Sequence, residues 1–465
     1  MAWHTIREKW RVTMKKRSQR QEQLKLMHPN AAGLDIGSRE IWACIPPERG
    51  EEGVKAFGTF TPDLNRLADW LVNNGIETVA LESTGVYWIA VFELLEARGL
   101  QVYLVNARHI KNVPGRKSDY LDCQWIQKLH ALGLLSGSFR PDRELCTLRA
   151  YLRHRTQLIQ HRAPHILHVQ KALQQMNIQL PLVLADITGV TGMAILRAII
   201  AGERDAVKLA QLRNPACRSS EETIAKALSG DWKDEYLFVL KQSLELYDFY
   251  TQQVAACDAQ IKQHFSAIKP RWTGTPQLAD VTPTKRHSKS KNQPALNARA
   301  EIIRITGVDL VAVDGLSGSL AGTILSEIGT DMSRWPSEKH FASWLGLAPH
   351  NDISGGKVLR SRTLPTANRA GQAFRQAAAA VIRSPSAFGA FYRRKRAQLG
   401  PMQALVATAH KIARTVYYLL KHRVSYQDIG AEGYELKQRE REVAYLHKKA
   451  IKLGFILVEP PLIAT

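Results

Sequence analysis

The chain has 465 residues, with 64 Lys and Arg against 42 Asp and Glu, for a formal net charge of +22. That length exceeds one ordinary core, so two or three domains are expected, and the positive surplus points to a polyanionic partner, nucleic acid ahead of a membrane surface. Five cysteines lie far apart with no Cys-x-x-Cys pair, which argues against a zinc module or a disulfide framework, and no uncharged run is long enough to span a bilayer, so a soluble intracellular protein is expected.

Residues 1–27 read as a basic arm carrying Arg7, Lys9, Arg11, Lys15, Lys16, Arg17 and Arg20, either a nucleic-acid contact or a solvated extension. An α/β domain is expected over residues 28–144. Ala31 to Ile36 reads as a buried strand, with Glu40 to Ile45 and Val54 to Phe60 as the second and third. Thr61-Pro62-Asp63 starts a helix with a capping hydroxyl, continued by Leu64, Leu67, Ala68 and Leu71. A strand at Thr78 to Leu81, a helix after Ser83-Thr84-Gly85 through Trp88, Phe92 and Leu95 to Gly99, and a strand at Val102 to Val105 follow. The next helix is capped by Ser118; its Asp119 and Asp122 share one face, and Leu121, Trp125, Ile126 and Leu129 are expected to bury the other.

A three-stranded meander followed by crossover units predicts a mixed sheet with a site at the strand ends. Asp35 lies in the first strand beside Gly37, and Glu82 ends the fourth, so neighbouring strands bring both toward the Asp119 helix. Four carboxylates around one cleft suit a hard divalent cation. Magnesium takes one or two carboxylates together with substrate phosphate oxygens, and a two-ion site is expected here.

From Leu145 to Met176 the apolar or seam positions alternate steps of three and four, a coiled-coil-like period that includes Arg155 and Arg162 and is interrupted by Pro164. Its basic face, with Arg149, Arg153, Arg155, Arg162 and Lys171, either tracks a phosphate backbone or is solvated. A second seam from Leu237 to Phe265 implies an antiparallel hairpin or a subunit contact, so residues 145–268 form a helical coiled-coil region. Residues 269–299, with Lys285 to Lys291 at their centre, are a basic linker. A mostly α domain follows over residues 300–425. In it Val313 to Gly322 makes a glycine turn into a helix, either a helix-hairpin-helix-like phosphate cradle or a plain helix-helix turn. Leu347 to Thr363 reads as a loop in which Ser354 precedes Gly355, Gly356 and the cations Lys357, Arg360 and Arg362. Helices at Ala367 to Ile382 and Ala404 to Leu420 come next, and the C-terminal tail, residues 426–465, has no assigned role.

Gly33-Leu34-Asp35-Ile36-Gly37, Leu81-Glu82-Ser83-Thr84-Gly85-Val86-Tyr87 and Lys117-Ser118-Asp119-Tyr120-Leu121-Asp122 resemble the DEDD, RuvC-like half of the insertion sequence 110 family transposases. The Ser354 stretch and the helices after it resemble that family's C-terminal Tnp half, closest to the 1111 subgroup. The resemblance implies a ribonuclease H-like fold in which Asp35, Glu82, Asp119 and Asp122 are the ligands of two magnesium ions. It further implies that Ser354 is a nucleophile joined covalently to DNA, in a composite site formed across the subunits of a dimer or tetramer. A structured non-coding guide RNA, encoded by the element, is implied to pair with donor and target DNA; the protein itself is then prokaryotic, cytoplasmic and nucleoid-associated. No helix-turn-helix or zinc-finger signature offers direct sequence reading instead.

Lys117, Arg155, Arg162, Lys357, Arg360 and Arg362 are the expected nucleic-acid contacts. A serine hydroxyl needs activation, for which the carboxylate-metal site is preferred, with His350 or Asp352 as the local alternatives. Ser361 competes with Ser354 but is crowded by arginines. Two other functions remain open: a RuvC-like structure-selective nuclease, which has no need of Ser354, and a non-catalytic nucleic-acid-binding protein, which has no need of the acids.

Overall fold

The structure, a computed structural model, describes residues 26–50, 52–83, 85–106, 118–274, 291–294, 296–363 and 368–458. The basic arm as far as residue 25, Lys117 and the lysine-rich stretch 285–290 lie outside these residues. The chain divides between Arg140 and Pro141 into two compact units.

In the first unit, β1 (Ala31–Ile36), β2 (Glu40–Cys44) and β3 (Val54–Gly58) form an antiparallel meander. Next, α1 (Thr61–Asn73) buries Leu64, Leu67, Ala68 and Leu71, the stripe its helical spacing dictates. Thr61 does not supply the expected cap: it is the first helical residue, and no side chain bonds the first turn. β4 (Thr78–Glu82), α2 (Trp88–Ala97), β5 (Gln101–Val105) and α3 (Asp119–Ala131) complete the unit. The sheet order is β3-β2-β1-β4-β5, with β1, β4 and β5 parallel. This is the mixed, ribonuclease H-like sheet anticipated from the strand order. The central strands β1 and β4 are almost entirely buried, which is why their text is nearly continuous apolar residues, with Thr78 opening β4 and Asp35 and Glu82 near the carboxyl ends.

In the second unit, α4 (Arg143–Gln175) runs through Pro164 as one helix. The helices α5 (Leu180–Val183), α6 (Val190–Ile200), α7 (Ala206–Ala210) and α8 (Glu221–Leu228) share an apolar core with Leu173 of α4. The long α9 (Asp234–Ala267) then returns along α4. Tyr151 meets His264, Arg155 meets Asp258 and Arg162 meets Thr251, so the two helices run in opposite directions. The two seams are therefore partners in an intramolecular antiparallel hairpin.

The remaining helices are α10 (Ala298–Thr306), α11 (Gly318–Ile328) and α12 (Glu338–Trp344), then, beyond the strands β6 (Pro349–Ser354) and β7 (Lys357–Thr363), α13 (Arg369–Ala380), α14 (Ala387–Leu399), α15 (Pro401–His422) and α16 (Gly430–Lys452). Buried Glu327 of α11 accepts two hydrogen bonds from Arg153 of α4, at 2.9 and 2.8 Å, so the coiled-coil region and the C-terminal helices belong to one compact unit. The glycine turn before α11 ends in Ser317, whose hydroxyl accepts from the Leu320 N–H. Among the described residues no helix is long and apolar enough to cross a membrane.

Candidate active site

The acid pair of α3 reaches the sheet because Gly33 has no side chain. A Cβ built there would lie 2.2 Å from the Gln127 nitrogen and 2.5 Å from the Cys123 carbonyl oxygen, so backbone of α3 rests directly on backbone of β1. Gln127 fastens the contact by donating to the Ala31 carbonyl at 3.2 Å. The buried face of α3 is Cys123, Ile126, His130 and Ala131. Leu121, expected inside, is 44% exposed, because close approach at Gly33 turns the Cys123 side of the helix inward. His130 Nε2 lies 2.9 Å from Thr78 Oγ1 of β4. Burial and the neighbouring His28 hold its pKa down at about 4, so it is neutral at pH 7.

Helix α3 starts at Asp119 because Ser118 Oγ accepts from the Leu121 N–H, at 3.4 Å. Tyr120 turns outward and meets Trp42 of β2 edge-on, with ring centroids 6.0 Å apart. On the other side Asp119 and Asp122 converge on Asp35. One ligand oxygen from each of the three lies within 4.8 Å of the others. Glu82 stands outside that group of three but close by: β1 and β4 are in parallel register at Leu34 and Leu81, and Asp35 and Glu82 are the next residues along. Burial, then the charges of Asp119, Glu82 and Asp122, raise the Asp35 pKa from 3.8 to about 6. A cleft that holds this many carboxylates against their mutual repulsion, with oxygen donors only, fits a hard divalent cation. Of the four residues the sequence proposes, the structure gathers three and places the fourth beside them.

Ser354 sits in a different setting from the one expected. Leu347 to Thr363 is not a loop: β6 and β7 form an antiparallel hairpin closed by Gly355 and Gly356. Both turn residues have positive φ, +55° and +76°, the combination a two-residue type I′ turn requires and L side chains resist. Ser354 pairs with Lys357 across the turn, Asp352 with Arg360 and His350 with Arg362, while Leu359 is the extra residue of a bulge. Residues paired across an antiparallel ladder share a face. One face therefore carries Ser354, Lys357, Arg360, Arg362, His350 and Asp352. The other carries Ile353, Val358, Asn351 and Ser361, which separates the competing serine from these cations. Every residue of the two strands but Thr363 is exposed.

The remaining expected contacts divide. Arg155 and Arg162 are not surface cations: they are 6% and 8% exposed. Arg155 forms an ion pair with Asp258 of α9 and donates to the Asn292 carbonyl at 2.9 Å. Arg162 donates to Thr251 Oγ1 at 3.3 Å and to Asn292 Oδ1 at 2.7 Å, with its guanidinium over the Tyr247 ring. A phosphate backbone cannot reach groups that sit in the seam of a helical hairpin. With Arg153 held by Glu327, the face read as a phosphate track is largely engaged inside the unit. Sequence reasoning missed Gly33, Gln127 and His130, although Gly33 stands two residues before Asp35, where its proximity was the available signal.

Residues 32–178 match the sequence model of the DEDD transposases of the IS110 type, and residues 309–393 match that of the transposase IS116/IS110/IS902 family. No curated protein matches the chain.

Proposed function

The chain belongs to the IS110 family of transposases, and from that premise we propose that it cuts and rejoins DNA to move its element, using the Asp35 cluster together with Ser354. The observation that carries the reading is the convergence of Asp35, Asp119 and Asp122 within 4.8 Å beside Glu82. These four carboxylates would hold magnesium, in a two-ion site. The cation supplies electrophilic stabilisation of phosphoryl oxygens and a lowered pKa for a bound hydroxyl or water.

The hairpin supplies the nucleophile. Ser354 Oγ forms a bond to phosphorus of a phosphodiester, the bond from phosphorus to the departing strand's oxygen breaks, and the proton from the serine ends on that oxygen. Attack by another strand's hydroxyl on the serine-linked phosphorus reverses the exchange and joins new ends, so phosphodiester energy is conserved and no nucleotide is consumed. The carboxylate-metal site is the preferred activator of the serine, with Asp352 and His350, which share the Ser354 face, as the local alternatives. Lys357, Arg360 and Arg362 face the same way and offset charge on the phosphoryl oxygens. Lys117, adjacent to the Ser118 cap, is a further phosphate contact in this reading.

Donor and target DNA are read through a structured guide RNA carried by a homo-oligomer of the chain, in the nucleoid of a prokaryotic cell. The +22 charge supports a large nucleic-acid load. The test is to trap the full-length protein on end-labelled DNA with magnesium, denature it, and map any adduct. Wild type is expected to carry DNA on the peptide containing Ser354 and to yield joined products. Ser354→Ala loses both and keeps RNA binding, whereas an adduct persisting in that variant rejects the assignment. Cleavage without joined products, unaffected by Ser354→Ala, would mean a structure-selective nuclease instead.

A further inference from the structure

The C-terminal helix α16 is anchored at one end and bare at the other. Its first turns are fastened: Tyr434 is buried, its ring 6.2 Å from that of Phe391, and Lys411 Nζ lies 4.7 Å from the Tyr434 ring and 4.5 Å from that of Phe391. Glu442 pairs with Arg394 of α14. On another side of the helix, Leu436, Leu446 and Leu453 are 60%, 47% and 63% exposed. With Val443 and Ala450 they recur at alternating steps of seven, three, four and three, a 3.5-residue period whose one remaining place is filled by Arg439. A stripe of this period is the seam of a coiled coil. At about 1.5 Å per residue, the stretch from Leu436 to Leu453 is on the order of 27 Å long.

The seam is complementary to itself in one orientation. Antiparallel pairing sets Val443 against Leu446, Leu436 against Leu453, and the long Arg439 against the small Ala450, so each layer has matched volume. The flanking positions agree: Glu442 then meets Lys449, and Glu440 meets His447. Glu442 keeps its tie to Arg394 through one oxygen and, being 57% exposed, has the other available. Parallel pairing instead stacks Arg439 on Arg439, leaves Ala450 against Ala450, and brings Glu435 to Glu440. We propose that α16 is a self-association element, pairing antiparallel with α16 of a second copy of this chain. Two and a half heptads form a modest contact alone, so the pairing adds to other subunit contacts and acts through effective concentration.

The test uses full-length chains. Leu436→Cys and Leu453→Cys chains are co-expressed, gently oxidised and digested, and the linked peptides are identified by mass spectrometry. A disulfide joining position 436 of one chain to position 453 of another is expected. In parallel, Leu446→Asp, at a site already open to water in the single chain, is expected to weaken self-association, lowering the mass measured by light scattering at dilute protein, and to suppress the cross-link. Linkage confined to like positions, 436 to 436, overturns the orientation. Mass and cross-linking unchanged in Leu446→Asp overturn the proposal, including the case in which that variant loses nucleic-acid binding instead, which would make α16 an arm for nucleic acid.

Discussion

Asp35 carries the clearest electrostatic consequence of the site. Its folded pKa of about 6 lies above the ordinary 3.8, so between those values the folded protein binds more protons than the unfolded chain. Stability from this group is fully present below pH 3.8 and is lost as pH rises through 6. In metal-free protein the thermal midpoint should therefore fall over that window, and Asp35→Asn should flatten the fall and raise the midpoint at pH 7. Magnesium should raise the midpoint of wild type at pH 7.5 and not that of Asp35→Asn; equal responses would remove Asp35 from the ligand set. Gly33 makes a second prediction. With backbone 2.2 Å from where a Cβ would sit, Gly33→Ala must push α3 off β1 and carry Asp119 and Asp122 with it. A displacement of about 1 Å from reacting geometry costs on the order of 100-fold in rate, so cleavage should drop by at least that while the chain still folds. The carboxylates were legible in the sequence because each follows an unmistakable strand or opens a capped helix. Their supports were not: Cys123 and His130 read as ordinary helix residues until the missing side chain at Gly33 shows which way α3 faces.

The hairpin of α4 and α9 shows why seam cations mislead. Nothing near Arg155 in the chain declares its partner, since Asp258 arrives from 103 residues away and Asn292 from 137, within the linker. Periodicity identified both seams and left their mutual pairing open; the cross-contacts decide it. Removing one partner of a buried ion pair leaves the other charge stranded, at about 3–5 kcal/mol. Asp258→Asn should thus lower the unfolding midpoint strongly, whereas the salt dependence of nucleic-acid binding should keep its slope in Arg162→Gln, because a buried arginine releases no counterions. A slope reduced by about one unit in that variant would return Arg162 to the nucleic-acid surface. The β6–β7 hairpin was hidden for another reason. Two adjacent glycines between exposed strands with no buried face to set an alternation read as irregular chain, and the pair of positive φ values turns them into a strand reversal.

For the chain as a whole, a charge of +22 favours association with polyanions. Protein purified at low salt should carry RNA, and sequence-specific DNA binding should disappear after complete ribonuclease digestion and return when the element's own transcript is added. Specific binding that survives digestion would end the guide-RNA reading. Strand order and helix boundaries over the first unit followed from local patterning, whereas the union of the coiled-coil region with the C-terminal helices rests on long-range pairs such as Arg153 with Glu327, which no local pattern contains. The hairpin bearing Ser354 has a further consequence. Among the described residues β6 and β7 form a sheet of their own and are exposed on both faces, and a lone two-stranded hairpin is only marginally stable in water. In the proposed reaction, ordering the Ser354 hydroxyl would draw on the free energy of docking DNA, and a mismatched duplex that docks weakly would leave it out of line. That reading would give fidelity a checkpoint after binding and before bond breakage, and it predicts that amide hydrogen exchange in β6 and β7 slows with matched DNA and stays fast with mismatched DNA.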